Sequence, residues 1–340
     1  MRSGAPAVIA IVAVLLAGAA RAQSRGENEA RCKGNDPNLA IGGCTALIQA
    51  NRETPENLAG IFASRGGAYV LTGEYDRAIE DYDRAVKLKP KFATAFANRG
   101  GAYFSKGQYD RAIQDYDQAI KLDPQYATAF DNRGVAYDAK RQYDRAIRDQ
   151  DQAIKLDPND AAFFYNRGSV YGHKGEFDRA IQDYDQAIKL RASYLDALVS
   201  RGSAYFSKGQ YERAIQDYDR AIGLQPAIAV LWNIRCWTRV VAGDPTRALA
   251  DCDESLRLAP GDAATLNSRG FTYLKMRKYD LALADFDAAL KRDARQSGPL
   301  YGRGMAKRMN GDAAGANADI AAAKRLDPEV ARVFERYGIR

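Results

Sequence analysis

The dipeptide Arg-Gly returns at one interval of roughly 34 residues, the same each time, and this period constrains the fold more than any other feature of the sequence. It stands at Arg65-Gly66, Arg99-Gly100, Arg133-Gly134, Arg167-Gly168, Arg201-Gly202, Arg269-Gly270 and Arg303-Gly304, with Arg235-Cys236 in the missing place. Eight units therefore run in register from Ala59 to Val330: 59–92, 93–126, 127–160, 161–194, 195–228, 229–262, 263–296 and 297–330. Length alone would suggest two or three domains of about 150 residues. The period replaces them with a single array.

Each unit reads as a helix pair. In the second, Phe96, Arg99, Gly100 and Tyr103 share one helical face. Gly107 breaks the pattern, and Tyr109, Ala112, Ile113, Tyr116, Ala119 and Ile120 form the face of a second helix. Pro124 ends it, because proline cannot continue the backbone ladder. A helical glycine costs about 1 kcal/mol relative to alanine. Gly100, with Ala112 on the next helix, implies that the two helices approach closely. One such hairpin does not bury its apolar face alone, but stacked hairpins do.

These residues resemble the tetratricopeptide repeat family: Phe96, Gly100, Tyr103, Gly107, Tyr109, Ala112, Tyr116, Ala119 and Pro124 match its pattern in the second unit. The sequence departs from that pattern in placing arginine where the family usually has leucine. The sixth unit has Cys236, Arg239 and Cys252 at signature positions, and the eighth is alanine-rich. The resemblance implies an all-α solenoid of eight helix-turn-helix units, right-handed, with a concave groove that binds peptides or proteins.

Every unit carries an arginine on its first helix and an aspartate at a fixed distance downstream on its second: Arg65/Asp81, Arg99/Asp115, Arg133/Asp149, Arg167/Asp183, Arg201/Asp217, Arg235/Asp251, Arg269/Asp285 and Arg303/Asp319. An arginine on an apolar face needs a partner, and guanidinium and carboxylate pair through two hydrogen bonds. The expectation is a structural ladder between paired helices, in preference to a basic row for an anionic ligand. The strings such as Asp115-Tyr116-Asp117 look like metal motifs, but positions i and i+2 do not share a helix face. One aspartate should belong to the ladder and the other to solvent. No metal site and no cofactor is expected.

Cys236 and Cys252 take the glycine and aromatic slots of one unit and should face each other as a disulfide. Cys32 and Cys44 precede the array, and a bridge between them would staple an N-terminal cap over residues 23–58. Both bridges presuppose an oxidising compartment. Residues 1–22 supply the address: Arg2, an apolar run from Ala7 to Ala20, and the small-x-small pattern Ala20-Arg21-Ala22 read as a signal peptide cut after Ala22. The alternative is an uncleaved anchor, but the run is shorter than the roughly 18 residues that cross a bilayer. No membrane insertion is expected after cleavage, and the periplasm is the expected location, otherwise secretion. A second cap is expected where Pro328 to Arg340 carries Val330, Val333, Phe334 and Tyr337, so that 331–340 completes a capping helix.

By the resemblance, first-helix residues beside the core face line the groove: Phe104, Asp131, Tyr165, Asp196, Phe206, Asn233, Trp237, Asn267, Phe271, Leu274, Tyr301 and Arg308. Exposed aromatics are typical binding anchors; the bland alternative is that Phe104, Phe206 and Phe271 pack between repeats. Asn98, Asn132 and Asn166 match one slot of the family's carboxylate clamp, but its lysines are missing. The function expected is an exported adaptor for a protein or peptide, without catalysis; a scaffold of an envelope polysaccharide or secretion assembly is the alternative. An enzyme is disfavoured, since His173 is the single histidine and sits at a helix end. The net charge of +7 is mixed along the chain, which favours solubility over nucleic-acid binding. The oligomeric state is left open.

Overall fold

The structure, a computed structural model, describes residues 25–339. The apolar run and the cleavage pattern of residues 1–22 lie outside them. Residues 25–32 are helical, and α1 (Pro37–Ala50) follows. The repeats then supply two helices each: α2 (Pro55–Leu71) and α3 (Tyr75–Leu88), α4 (Ala93–Ser105) and α5 (Tyr109–Leu122), α6 (Ala127–Ala139) and α7 (Tyr143–Leu156), α8 (Ala161–His173) and α9 (Phe177–Leu190). The second half continues with α10 (Leu195–Ser207) and α11 (Tyr211–Leu224), α12 (Ala229–Ala242) and α13 (Pro245–Leu258), α14 (Ala263–Lys275) and α15 (Tyr279–Arg292), α16 (Ser297–Met309) and α17 (Ala313–Leu326). The short α18 (Val330–Arg336) closes the order. No strand occurs among the described residues. The fold is the expected α-solenoid of repeated helix pairs, and the described residues divide into two compact units, 25–170 and 171–339.

The helical glycines are kept for a ring. A Cβ on Gly100 would stand 2.8 Å from Cε1 of Tyr116, and one on Gly202 would stand 2.6 Å from Cε1 of Tyr218. Such distances are far inside van der Waals contact, so any side chain there would push the paired helices apart. The contact thus falls on the aromatic slot of the second helix as well as on the alanine turn. The sixth repeat replaces ring on glycine by sulfur on sulfur: Cys236 and Cys252 pair with Cα atoms 5.5 Å apart. The alanine-rich eighth repeat keeps the design, with Ile320 lying against Gly304.

The turn between paired helices requires a left-handed residue. Gly107 takes φ +71°, where glycine meets no steric penalty. Arg141 and Arg277 fill the same turn in their repeats at φ +57° and +58°.

The ladder is present in every repeat whose two helices lie in one unit. Arg133 donates from Nε to Asp149 Oδ2 at 2.8 Å and from Nη2 to Asp149 Oδ1 at 2.7 Å. Arg65 meets Asp81, and Arg99 meets Asp115, through the same fork. So do Arg201 with Asp217, Arg235 with Asp251, Arg269 with Asp285 and Arg303 with Asp319. Asp183, the carboxylate of the fourth repeat, is buried on α9 in the second unit, while Arg167 belongs to the first.

The remaining guanidinium nitrogen corrects the sequence expectation. Nη1 of Arg133 donates to Asp117 Oδ1 at 2.6 Å, and Nη1 of Arg99 donates to Asp83 at 2.5 Å. The second aspartate of each Asp-Tyr-Asp string is therefore no solvated bystander. It accepts from the arginine of the next repeat, so one guanidinium ties two helices of its own repeat and one of the repeat before.

The first repeat begins earlier than expected. Its first helix starts at Pro55, not Ala59, because Thr54 Oγ1 accepts from the Asn57 amide and proline occupies the first turn. The four residues assigned to the cap belong to α2. The cap itself is α1 with the preceding helical residues, and it takes the place of an earlier repeat: Arg65 Nη1 donates to Thr45 Oγ1 at 2.9 Å, where later arginines meet an aspartate. Cys32 and Cys44 pair within it, Cα atoms 4.6 Å apart.

Candidate functional site

First-helix side chains opposite the paired helix are the surface that varies among repeats. In the second unit they line an open groove of about 710 Å³ between α10, α12, α14 and the start of α16. Phe206 and Trp237 give it an aromatic wall, and Asn233 and Asn267 stand one repeat apart on successive first helices. Both asparagines are half-buried, and the side-chain oxygen of each is buried without a protein donor. A buried acceptor left unpaired costs about 1–3 kcal/mol. The two residues, one repeat apart beside aromatic rings, line a groove suited to an extended or helical chain.

Four of the twelve groove residues expected from the sequence, Phe206, Asn233, Trp237 and Asn267, meet in this open groove. Three others are buried and are no open surface: Phe271 is 0% exposed, Tyr301 8% and Leu274 9%. The cause is α18. It does not continue the stack as a ninth first helix but returns across the first helices of repeats eight to five. Phe334 stacks between Phe271, at 4.5 Å between ring centroids, and Tyr301, at 5.3 Å. Tyr337 meets Trp237 edge-on at 5.8 Å and Phe206 at 5.7 Å. Ile339 is 1% exposed, and Lys275 Nζ donates to the Gly338 carbonyl at 3.1 Å. The expected capping helix thus spans only Val330–Arg336; it packs on the last repeat and its aromatic side chains reach on across the inner face.

Of the remaining five, Phe104 is half-buried against Tyr109 of its own repeat, at 5.3 Å, which is packing within a repeat and not between repeats. Tyr165 is half-buried, while Asp196 and Arg308 are exposed. Arg308 donates to Asn317 Oδ1 on the paired helix. Asp131 is buried, and Nδ2 of Asn166 donates to both of its oxygens at 3.0 Å. Burial pushes its carboxyl up to about 6, against the pull of Asn166 and Gln150, with Asp160 adding to the rise. Gln150 takes the aromatic slot of the third repeat, donates Nε2 to the Asp131 carbonyl at 3.2 Å and leaves Oε1 unpaired. Sequence reasoning placed Asp131 in the groove; it is a buried link between successive first helices.

The ladder carboxylates are likewise removed from any surface that a ligand could reach. Asp81, Asp115, Asp149, Asp183, Asp217, Asp251, Asp285 and Asp319 are all buried, between 2% and 7% exposed. Where arginine and aspartate lie in one unit, the fork between paired helices supports the structural ladder over a ligand-facing basic row.

Other residues of the groove were missed. Ser203, Ser207 and Thr238 line it, as do residues 295–299 at the entry to α16. The period marks these positions as variable, but nothing local marks them as converging. Among the described residues no group of histidine, cysteine and carboxylate side chains could hold a metal ion, and no helix is long and apolar enough to cross a membrane. His173 is the exposed last residue of α8.

The sequence matches the family models described as TPR repeat, over residues 66–107 and 100–140, and Tetratricopeptide repeat, over 132–194, 171–229, 199–263 and 268–331. No curated protein matches it. A solved tetratricopeptide repeat protein from Parabacteroides merdae is 18% identical, with 78% of this chain and 98% of that chain covered, at a TM-score of 0.55. The structure from the functional characterization of Pseudomonas aeruginosa pilF is 19% identical, with 63% and 97% covered, at 0.55. The Cut9-Hcn1 hetero-tetramer of the APC/C gives 14% identity, 88% and 59% coverage, and 0.57. At these identities the likeness is one of fold.

Proposed function

Because the chain belongs to the tetratricopeptide repeat family, we propose that it is an exported adaptor that holds a segment of another protein on its first-helix face and performs no chemistry on it. The observation that carries this reading is the groove in which Asn233 and Asn267 stand one repeat apart beside Phe206 and Trp237. Aromatic anchors supply contact area, and amides supply register along a peptide backbone. The ladder supports the absence of catalysis: the repeated carboxylates are engaged by arginines in a structural pattern.

Export is part of the same proposal. It rests on the apolar run before Ala22 and on the pairing of all four cysteines, a usage suited to an oxidising compartment such as the periplasm. A cross-link closing a loop of this size stabilises by about 3 kcal/mol through the unfolded chain.

The double variant Asn233→Ala/Asn267→Ala tests the binding. Removing unpaired buried acceptors should leave melting unchanged or slightly raised. Proteins retained on the immobilised wild-type chain from an envelope extract of its own cell should fall at least tenfold on the variant. The same proteins at the same yield on a folded variant would remove this groove from the proposed binding face.

A further inference from the structure

The segment that covers the inner face shows what chemistry that face accepts. Val330 and Phe334 lie one helical turn apart, Tyr337 follows three residues after Phe334, and Ile339 closes the apolar row. Phe334 enters the slot between Phe271 and Tyr301, and Tyr337 rests on Trp237 and Phe206. The outward residues Arg332, Glu335 and Arg336 are exposed, so the slot reads only the apolar side of the helix.

The period makes this position unusual. Tyr337 falls one full period after Arg303, so a ninth first helix would carry its ladder arginine there. The aspartate that should accept from that arginine would fall one period after Asp287, and Ala321 stands in its place. Neither half of the link that ties each repeat to the one before is present. The helix is left to its aromatic side chains, which find their partners on the inner face.

We propose that the aromatic slot is a docking site for a short amphipathic helix of a partner protein, bearing two aromatic residues three positions apart, and that α18 is its displaceable internal occupant. This rests on the protein-binding reading above and names the form of ligand. Two observations favour a partner over a permanent cap. First, α18 has only seven residues, and a helix that short does not hold itself together in water. Among the described residues, a polar tie of the segment to the first-helix face is the hydrogen bond from Lys275 to the Gly338 carbonyl. Second, α18 stops beside the 710 Å³ groove and leaves its walls, Ser203, Asn233 and Asn267 among them, uncovered. A tethered occupant competes at an effective concentration of order millimolar. A partner helix that continues into the groove gains contacts that α18 does not make, and so can displace it.

The test uses the full chain and a fluorescein-labelled peptide of residues 328–340 as the probe. Wild-type protein should bind the probe weakly. Phe334→Ala/Tyr337→Ala, which empties the slot from within, should bind it at least tenfold more tightly by fluorescence anisotropy, and a probe carrying the same two alanines should not bind. Equal affinity for both proteins would overturn the proposal. So would a dimer of wild-type chains that dissolves in the double variant, because a second copy would then be the occupant. Should the variant fail to fold, hydrogen exchange on the wild-type chain decides: amides of residues 333–337 should exchange at least a hundredfold faster than those of α17, and equal protection would make α18 a fixed part of the core. These outcomes are independent of the asparagine variant, which reads binding in the groove and leaves the aromatic slot intact.

Discussion

Arg133→Leu should cost about 3–5 kcal/mol of stability, the loss expected when one partner of a buried ion pair is removed. The guanidinium gives two hydrogen bonds to Asp149 and one to Asp117. Burial works against its charge, yet the hydrogen bonds and charges of both aspartates hold its pKa above the ordinary arginine range. Leucine would leave Asp149, 7% exposed, without its cation in the helix interface. Asp117 is largely exposed and water would satisfy it. The double variant Arg133→Leu/Asp149→Leu should therefore recover most of the loss, since replacing both members of such a pair by apolar residues is often neutral. Urea denaturation followed by circular dichroism measures both. A single variant as stable as wild type would return the arginine row to the ligand-facing reading.

Asp131→Asn should act in the opposite direction and only above the acid range. In the folded chain the Asp131 carboxyl is raised from 3.8 to about 6 by burial. A raised folded pKa means that the folded state binds the proton more tightly than the unfolded one. Its contribution to stability is then fully present below pH 3.8, falls as pH rises toward 6, and is flat above that. At about 1.4 kcal/mol per pH unit, a rise from 3.8 to about 6 makes the penalty about 3 kcal/mol at neutral pH. Asparagine carries no charge and escapes it, and the Asn166 amide can turn to meet its neutral neighbour. The variant should be more stable than wild type at pH 7.5, with the difference gone at pH 4. An equal difference at both values, or a less stable variant at pH 7.5, would contradict this account of Asp131.

The parts of the fold legible in the sequence are those the repeat states many times. Arg-Gly, the aspartate downstream of it, and the two cysteines in one unit's glycine and aromatic slots each predict a contact between paired helices, and the geometry follows them. What was not legible depends on neighbours that a single unit does not specify. The second aspartate of Asp-Tyr-Asp looked solvated because its partner is in the next repeat. Asp131 looked like groove because its slot holds other polar or aromatic residues in other repeats, while Asn166 and Gln150 close over it here.

The candidate site was half legible for the same reason. Slot and side-chain type located Phe206, Asn233, Trp237 and Asn267. Phe271, Leu274 and Tyr301 occupy equivalent slots, and nothing at those positions announces that α18 lies over them. The signal that existed was at a distance: Tyr337 and Ala321, where the ladder would demand arginine and a carboxylate partner.

If the first-helix face of the second unit is the working surface, in-cell photo-crosslinking should reveal it. The photoreactive residue is placed at Ser203 or Ser207, both exposed at the groove, and at Gln216, exposed on the second helix α11. One dominant crosslinked protein is expected from Ser203 and Ser207, and none of it from Gln216. Equal capture of that protein from Gln216, or no capture from the groove, would place the working surface elsewhere.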